Sequence, residues 1–217
     1  MIRLAAFDMD GTLVDADSSW GWVHDHFGDS NDEALQLFLA DRIDDEEFIR
    51  RDIRKWWAHR PRLGIDEVGR ILDGVPLMPG ARALFDGLAG RGIRTAIVSG
   101  GIDLLARRIA RELGIGVVLA NGFQVDADGR LTGEPIVRVP VKGKEAALAA
   151  LQARIGIGPE ETLSVGNSAI DVGLFRRSRI GVAFQPADDA VRAGATAIVT
   201  ERDLARVLPL LDAADPA

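Results

Sequence analysis

Two aspartates near the N-terminus, Asp8 and Asp10, are spaced to do chemistry together. They follow a short apolar run, residues 2–7, and precede Gly11, a pattern typical of a buried parallel strand that ends in a turn. Side chains two residues apart lie on the same side of an extended chain. Two carboxylates at the end of a central strand are costly unless positive charge neutralises them, and oxygen ligands suit Mg²⁺. The stretch therefore indicates a magnesium site; the plainer alternative is a solvated acidic turn.

Further polar groups stand where later elements of the chain begin or end. They are Ser99 after the apolar run 93–98, Lys144 at the start of a predicted helix, and Asn167 with Asp171 after the run 161–165. Each has a plainer alternative. Ser99 could cap the helix that follows it, and Asp171 could be an ordinary charge near a helix start. Lys142 competes with Lys144, and either lysine alone could be a solvated surface charge.

Strand and helix patterns alternate over most of the chain. This alternation predicts an α/β fold with a doubly wound parallel sheet and helices on both faces. A hairpin turn is expected at Asp126–Gly129, inside a β segment that spans residues 117–139. Ligands of such sheets bind at the carboxyl ends of the strands. The loops that follow residues 7, 98 and 165 all lie at such ends, so we expect their polar groups to meet.

Residues 15–75 interrupt this alternation. All four tryptophans of the chain lie in this segment, and its apolar residues recur at helical spacing. The acidic run 44–47 suits a helix N-terminus, where the helix dipole favours negative charge. We therefore predict a small α-helical cap domain at 15–75 and a core domain made of residues 1–14 and 76–217.

In chain order, the polar groups resemble the four motifs of the haloacid dehalogenase (HAD) superfamily, and the helical insertion resembles that of its phosphoserine phosphatase-like branch. The matching residues are Asp8, Asp10, Gly11 and Thr12 for the first motif, Ser99 for the second, Lys144 for the third, and Asn167 with Asp171 for the fourth. Alignment from the lysine to the fourth motif favours Lys144 over Lys142.

The resemblance implies a Mg²⁺-dependent phosphatase that hydrolyses a small phosphomonoester, phosphoserine or a related phosphometabolite, through an aspartyl-phosphate. It implies that Asp8 is the nucleophile and Asp10 the general acid and base, while Ser99 and Lys144 bind the phosphoryl group. The implied metal ligands are Asp8, Asp10, Asn167 and Asp171, and the implied substrate-binding residues are Thr12, Asp17, Arg51 and Gly100. Two alternatives remain: a phosphotransferase of the same superfamily, or a weakened protein that binds a phosphometabolite without turnover.

The sequence departs from the family pattern at several positions. Asn167 and Ile170 stand where the fourth motif has Asp and Asn, so we predict weaker metal binding than an aspartate would give. Phosphoserine phosphatases use a Glu for the substrate amino group, and the matching residue is Asp17. They use a cap Arg for the substrate carboxylate, and a gapless match places Asp52 there. A shift of one residue would place Arg51 there instead.

Bulk composition limits the possible partners. The chain has 217 residues, a net charge of −7 and no cysteine. Negative charge argues against nucleic acid, and the lack of cysteine excludes disulfides and a Cys nucleophile. No apolar run has membrane-spanning length, and no signal-peptide pattern occurs. We therefore expect a cytoplasmic protein whose partner is a small phosphorylated metabolite, with no nucleic acid and no membrane.

Overall fold

The computed structural model describes residues 1–214, and its strands form one seven-stranded sheet. The strands are β1 (Leu4–Phe7), β2 (Arg94–Ile102), β3 (Val117–Val125), β4 (Leu131–Ile136), β5 (Thr162–Gly166), β6 (Ile180–Phe184) and β7 (Ala197–Val199). They lie in the order β4-β3-β2-β1-β5-β6-β7. Among these seven strands of residues 1–214, only β3 and β4 pair antiparallel, in a hairpin that turns at the predicted place.

Helices cover both faces of this sheet. They are α1 (Ser19–His26), α2 (Asp32–Leu39), α3 (Asp45–His59), α4 (Ile65–Leu72), α5 (Ala81–Gly90), α6 (Asp103–Leu113), α7 (Lys144–Ile155), α8 (Val172–Arg176), α9 (Asp189–Gly194) and α10 (Leu208–Ala214). Among residues 1–214, no helix is long and apolar enough to span a bilayer.

The two faces of β1 belong to two hydrophobic cores. Ala5 and Phe7 face one cluster, and Leu4 and Ala6 face the other. All four residues are completely buried, which is why the strand reads as a continuous apolar run rather than an alternating one. The α/β prediction with a doubly wound sheet is confirmed, and β1 lies in the middle of that sheet.

Helices α1 to α4 fill the insertion between β1 and α5. Helix α3 packs against β4, and α1 packs against α4. Trp20 of α1 and Trp56 of α3 stack, with ring centroids 5.9 Å apart, and both belong to the cluster that holds Phe7. The predicted helical content of residues 15–75 is therefore present; that the segment is a separate cap domain stays a proposal.

Strand β2 is longer than the sequence pattern indicates. We expected a loop to follow residue 98, but the strand continues to Ile102 with a shift in its register against β3. Helix α6 begins at Asp103 without a side-chain cap. Ser99 therefore does not cap the next helix, and its two following glycines are extended strand rather than a turn.

Candidate active site

A cavity of about 510 Å³ lies between the carboxyl ends of the central strands and helices α1 to α3. Its lining includes chemistry-bearing residues that four separate segments of the sequence supply. These are Asp8, Asp10, Ser99, Lys144 and Asn167. The strand order places β1 between β2 and β5, so the loops that follow these three strands meet at one edge of the sheet.

Lys144 is the cation at the floor of this cavity. Its Nζ lies 2.6 Å from Asp8 Oδ1 and 2.7 Å from Asp171 Oδ1. All three side chains are buried, with Lys144 only 5% exposed. Burial alone would lower the pKa of Lys144, but the carboxylates of Asp171 and Asp8 raise it above the usual value. The lysine is therefore held in its charged form beside Asp8.

Lys142, the other candidate lysine, lies elsewhere. Its ammonium pairs with Asp41 and donates to the carbonyl of Phe38 at 3.2 Å. Its side chain is 44% exposed. Of the two lysines, the structure brings only Lys144 to Asp8.

Asp171 holds the loop that follows β5. Its Oδ1 accepts from Lys144, while its Oδ2 accepts from the backbone N–H groups of Asn167 and Ser168 at 3.0 Å and from the Ser168 hydroxyl at 3.1 Å. Both oxygens are thus engaged by protein donors. The metal-ligand role predicted for Asp171 gains no support from this arrangement, which instead makes Asp171 a residue that positions Lys144.

Asp10 is held on one side only. Its Oδ2 accepts from the Ser19 backbone N–H and the Ser19 hydroxyl, both at 2.9 Å. Its Oδ1 is buried and has no hydrogen-bond partner among residues 1–214. Burial, together with the charge of Asp8, raises the pKa of Asp10 to about 7 despite these two hydrogen bonds. A carboxyl group with this pKa can both give and take a proton near neutral pH.

The pKa of Asp8 is also raised above its ordinary value. Burial and the neighbouring Asp171 raise its pKa to about 6, and Lys144 only partly offsets them. The raised pKa values of these two buried carboxyl groups indicate that Lys144 alone does not neutralise their negative charge. The unpartnered Oδ1 of Asp10 points to the same deficit.

The oxygen donors of this site fit a hard cation such as Mg²⁺. Asp8, Asp10 and the side-chain amide of Asn167 line the same cavity. The amide of Asn167 packs against Gly11, where a Cβ would lie 2.2 Å from Nδ2 and where φ is +69°, so only glycine suits that position. No group of three or more Asp, Glu, His or Cys side chains forms a metal site within the described residues. A cation here would depend on the Asp8 carboxylate, an oxygen of Asp10 and one neutral amide.

The end of β2 forms another wall of the cavity. Ser99 is buried, and its hydroxyl accepts from the Gly101 N–H at 3.1 Å, which leaves the hydroxyl proton free to be donated. A Cβ on Gly101 would lie 2.5 Å from Met9 and 2.7 Å from Asp10. A Cβ on Gly100 would lie 2.7 Å from Val141. These glycines are therefore needed for close packing around the aspartates.

The predicted substrate-binding residues are only partly brought together. Asp17 and Gly100 line the cavity, but Thr12 and Arg51 do not. Thr12 is completely buried. Arg51 lies on a different face of α3 from its neighbour Asp52, which does line the cavity. Arg51 donates instead to Glu47 at 3.0 Å. The structure thus brings Asp52 to the cavity, as the gapless match with the family places it, and not Arg51, which we had expected there.

Two positioning residues were missed by the sequence analysis. Ser19 is completely buried and links Asp10 to β2, since its hydroxyl also accepts from the Ile102 N–H at 3.0 Å. Asn121 donates to the carbonyls of Gly100 and Val139 at 3.2 and 2.8 Å. For Ser19, the sequence did contain a signal, since Ser18 and Ser19 stand together at the start of α1. The second depends on a contact between distant segments.

We expect Ser19→Ala to lower both stability and turnover. The substitution removes one donor from Asp10 and leaves the buried Ile102 N–H without an acceptor, which costs about 1–3 kcal/mol. Any reaction in which Asp10 transfers a proton should slow roughly ten-fold, because the carboxyl group is less well oriented. The matched control is Ser18→Ala, which removes the N-cap acceptor of Gly21 N–H and costs about 1 kcal/mol. Equal turnover losses in the two variants would contradict the special role of Ser19.

Comparison with known proteins agrees with this arrangement. The family model described as haloacid dehalogenase-like hydrolase matches residues 5–176. Phosphoserine phosphatase SerB2 of Mycobacterium tuberculosis is 33% identical over 213 residues, covering 96% of this chain and 50% of that protein. The phosphoserine phosphatase of Methanocaldococcus jannaschii is 26% identical over 208 residues, covering 95% of this chain and 96% of that protein.

A solved structure described as a phospho-aspartyl intermediate analogue of phosphoserine phosphatase has the same fold. Its TM-score is 0.80 at 25% identity, with coverage of 96% of this chain and 98% of that one. The chain spans only about half the length of the curated relatives from Mycobacterium tuberculosis and Archaeoglobus fulgidus, 50% and 52%. Because the family model covers most of the chain, from the first aspartates to α8, the chain belongs to the haloacid dehalogenase-like hydrolase family.

Proposed function

We propose that the chain is a Mg²⁺-dependent phosphatase that hydrolyses a small phosphomonoester through a phosphoenzyme on Asp8. The observation that carries the proposal is the position of Asp8, a buried carboxylate beside the charged Lys144 at the floor of a cavity. A phosphate dianion repels a carboxylate nucleophile, so attack requires positive charge and oriented donors around the phosphoryl group. Lys144 and the Ser99 hydroxyl are suited to provide part of both.

In the first step, an Asp8 oxygen attacks phosphorus in line with the ester oxygen. The P–O bond to the leaving alcohol breaks, and that oxygen takes a proton from the Asp10 carboxyl. Asp10 must start this step protonated; its Oδ1 has no hydrogen-bond partner among residues 1–214 and can carry that proton, while Ser19 holds its Oδ2. The products are the free alcohol and an aspartyl-phosphate on Asp8.

In the second step, water attacks the phosphorus of the aspartyl-phosphate. Asp10, now ionised, accepts a proton from that water, and the bond between phosphorus and the Asp8 oxygen breaks. Inorganic phosphate leaves, and both aspartates return to their starting states. The hydrogen bonds from Ser19 to Asp10 Oδ2 keep this carboxyl group fixed through both proton transfers.

Asp8, Asp10 and Asn167 are the residues that would hold Mg²⁺. When bound, the ion supplies positive charge to the phosphoryl oxygens as negative charge builds up on them. Asp171 was also predicted as a ligand; we propose that it acts indirectly, because its two oxygens hold Lys144 and the loop at Asn167.

The substrate class is a small phosphorylated metabolite. The relatives named above are phosphoserine phosphatases, so phosphoserine is the first physiological ester to test. The general activity is tested with p-nitrophenyl phosphate, Mg²⁺ and a chelator. We expect hydrolysis that a chelator abolishes and that added Mg²⁺ restores. Absence of hydrolysis over a broad panel of phosphate esters, with millimolar Mg²⁺ present, would contradict the proposal.

Asn167→Asp should strengthen Mg²⁺ binding by about ten-fold or more, because a third carboxylate adds charge to the ligand set. The same charge should lower the melting temperature of the metal-free protein through repulsion with Asp8 and Asp10, and Mg²⁺ should reverse that loss. Calorimetric titration and thermal melts measure the two effects. The control is Gln36→Glu, which adds the same charge on the exposed face of α2. Unchanged Mg²⁺ affinity in Asn167→Asp would contradict the ligand role of residue 167.

A further inference from the structure

We propose that the preferred substrate is the phosphate ester of an amino alcohol that carries no carboxylate. This inference rests on the proposed phosphatase function and concerns the part of the substrate that lies beyond the phosphate. It is carried by the chemistry of the cavity wall that α1 to α3 form above Asp8.

That wall is acidic. The aspartates of residues 15–75 that line the cavity are Asp17, Asp25, Asp29, Asp32, Asp45 and Asp52. Some of them already have partners: Asp29 pairs with Lys55 and His59, and Asp45 accepts from the Val141 N–H. Among the described residues that line the cavity, Lys144 and His24 are the only basic ones, and Lys144 is engaged at the floor.

Asp52 is the residue of this wall that carries the argument for a ligand group. It is only 1% exposed. Its Oδ1 accepts from Asn31 Nδ2 at 2.5 Å and lies 2.7 Å from His24 Nε2. Its Oδ2 is buried and has no partner among residues 1–214. A buried carboxylate oxygen without a donor is costly, and a ligand that fills the cavity can supply the donor.

His24 adds a second acceptor to this site. The carboxylate of Asp52 can only accept hydrogen bonds, so the Nε2 of His24 that bonds to it carries the proton. In the neutral imidazole, Nδ1 is then an acceptor. His24 Nδ1 is buried and also lacks a partner within the described part of the chain. With a neutral imidazole, the pair carries one negative charge and two acceptors without a partner in the described part of the chain, which a positively charged hydrogen-bond donor would satisfy.

A protonated amine suits the acceptors of Asp52 and His24 better than the other common groups of small metabolites do. An ammonium group has three N–H donors and a positive charge, whereas a hydroxyl group has one donor and no charge. A carboxylate offers only acceptors and would be repelled by Asp52. The apolar side chains of Trp20, Phe48 and Ile49 also line the cavity, and low polarity around Asp52 strengthens an ion pair there.

The arginines of α3 do not change this balance. Arg50 donates to Glu46 and Glu134 at 2.9 and 3.3 Å. Arg51 and Arg54 both donate to Glu47. None of the three arginines lines the cavity, so the wall, as far as residues 1–214 form it, offers no guanidinium to a substrate carboxylate.

Three esters that differ by one group test the inference. Phosphoethanolamine carries the ammonium alone, O-phospho-L-serine adds a carboxylate to it, and 2-hydroxyethyl phosphate replaces the ammonium by a hydroxyl. We expect kcat/KM for phosphoethanolamine to exceed that for each of the others by about ten-fold or more. Dissociation constants measured calorimetrically with Mg²⁺ should follow the same order.

Asp52→Asn removes the charge at almost constant shape and should reduce the preference for phosphoethanolamine over 2-hydroxyethyl phosphate by about ten-fold. The ratio of the two substrates cancels any general loss of activity. The matched control is Asp66→Asn, which removes the same charge from an exposed position on α4 outside the cavity and should leave the ratio unchanged.

The outcomes separate this inference from the phosphatase proposal. Hydrolysis of p-nitrophenyl phosphate with equal or better turnover of O-phospho-L-serine or 2-hydroxyethyl phosphate would overturn the inference and leave the phosphatase proposal standing. If no ester is hydrolysed, the phosphatase proposal fails, and the calorimetric order of the three esters still decides which group the cavity prefers. A wild-type preference that Asp52→Asn does not alter would overturn the assignment to Asp52.

Discussion

Replacing Asp8 with asparagine is expected to abolish hydrolysis of p-nitrophenyl phosphate, with a loss on the order of 10⁴-fold or more. The amide of asparagine has almost the same shape as the carboxylate but is not a nucleophile toward phosphorus, so no phosphoenzyme can form. Initial rates at saturating Mg²⁺ measure the effect.

Loss of fold is not expected to account for this result. Burial and Asp171 raise the pKa of Asp8 to about 6, so its charge is unfavourable in the folded protein without metal. Lys144 keeps its hydrogen bond to Asp171 in the variant. We therefore expect Asp8→Asn to melt, in the presence of a chelator, no lower than the parent protein. Retained hydrolysis by a correctly folded Asp8→Asn variant would contradict the mechanism.

The second large effect is expected from Lys144→Met. Methionine fills a similar volume but leaves the buried carboxylates of Asp8 and Asp171 without their shared cation. Removing one partner of a buried charge pair costs about 3–5 kcal/mol, so the free energy of unfolding in urea should fall by that amount. Hydrolysis should fall about a hundred-fold or more, because the phosphoryl group loses a positive charge.

Lys142→Met is the matched control for this variant. Lys142 lies two residues away and pairs with Asp41 at the surface, where an ion pair contributes about 0–1 kcal/mol. Its loss should therefore leave stability and hydrolysis nearly unchanged. Equal effects of the two substitutions would mean that the lysine beside Asp8 has no special role.

The central part of the site could be predicted because its residues follow locally recognisable strands. The apolar run before Asp8 is continuous because both faces of β1 are buried. Such a run can be recognised in the sequence without a structure. The same holds for the run before Asn167. The parallel order of the strands then requires the loops to meet at one edge of the sheet.

Other parts depend on contacts that local patterns do not reveal. Where β2 extends through Gly100 and Gly101, the two glycines pack closely on Val141 and Met9, which belong to distant segments. The pairing of His24 with Asp52 joins two helices across 28 positions of the chain. Neither contact has a sequence period.

Arg51 was predicted to bind the substrate, but the structure does not place it in the cavity, and the reason is geometric. Successive residues of an α-helix point about 100° apart, so a shift of one residue in an alignment moves a side chain from the cavity to another face. In α3 this shift exchanges a cation for an anion, Arg51 for Asp52. A substrate inference drawn from the motif order alone therefore cannot specify the charge of the cavity wall.

The central claim is a phosphoenzyme on Asp8, and its most direct test is mass spectrometry of the protein quenched in acid during turnover of p-nitrophenyl phosphate with Mg²⁺. We predict that the peptide containing Asp8 gains the mass of one phosphoryl group, and that the label disappears when the substrate is exhausted. Steady hydrolysis with this peptide unmodified at every quench time, or with the phosphoryl group on another residue, would contradict the account.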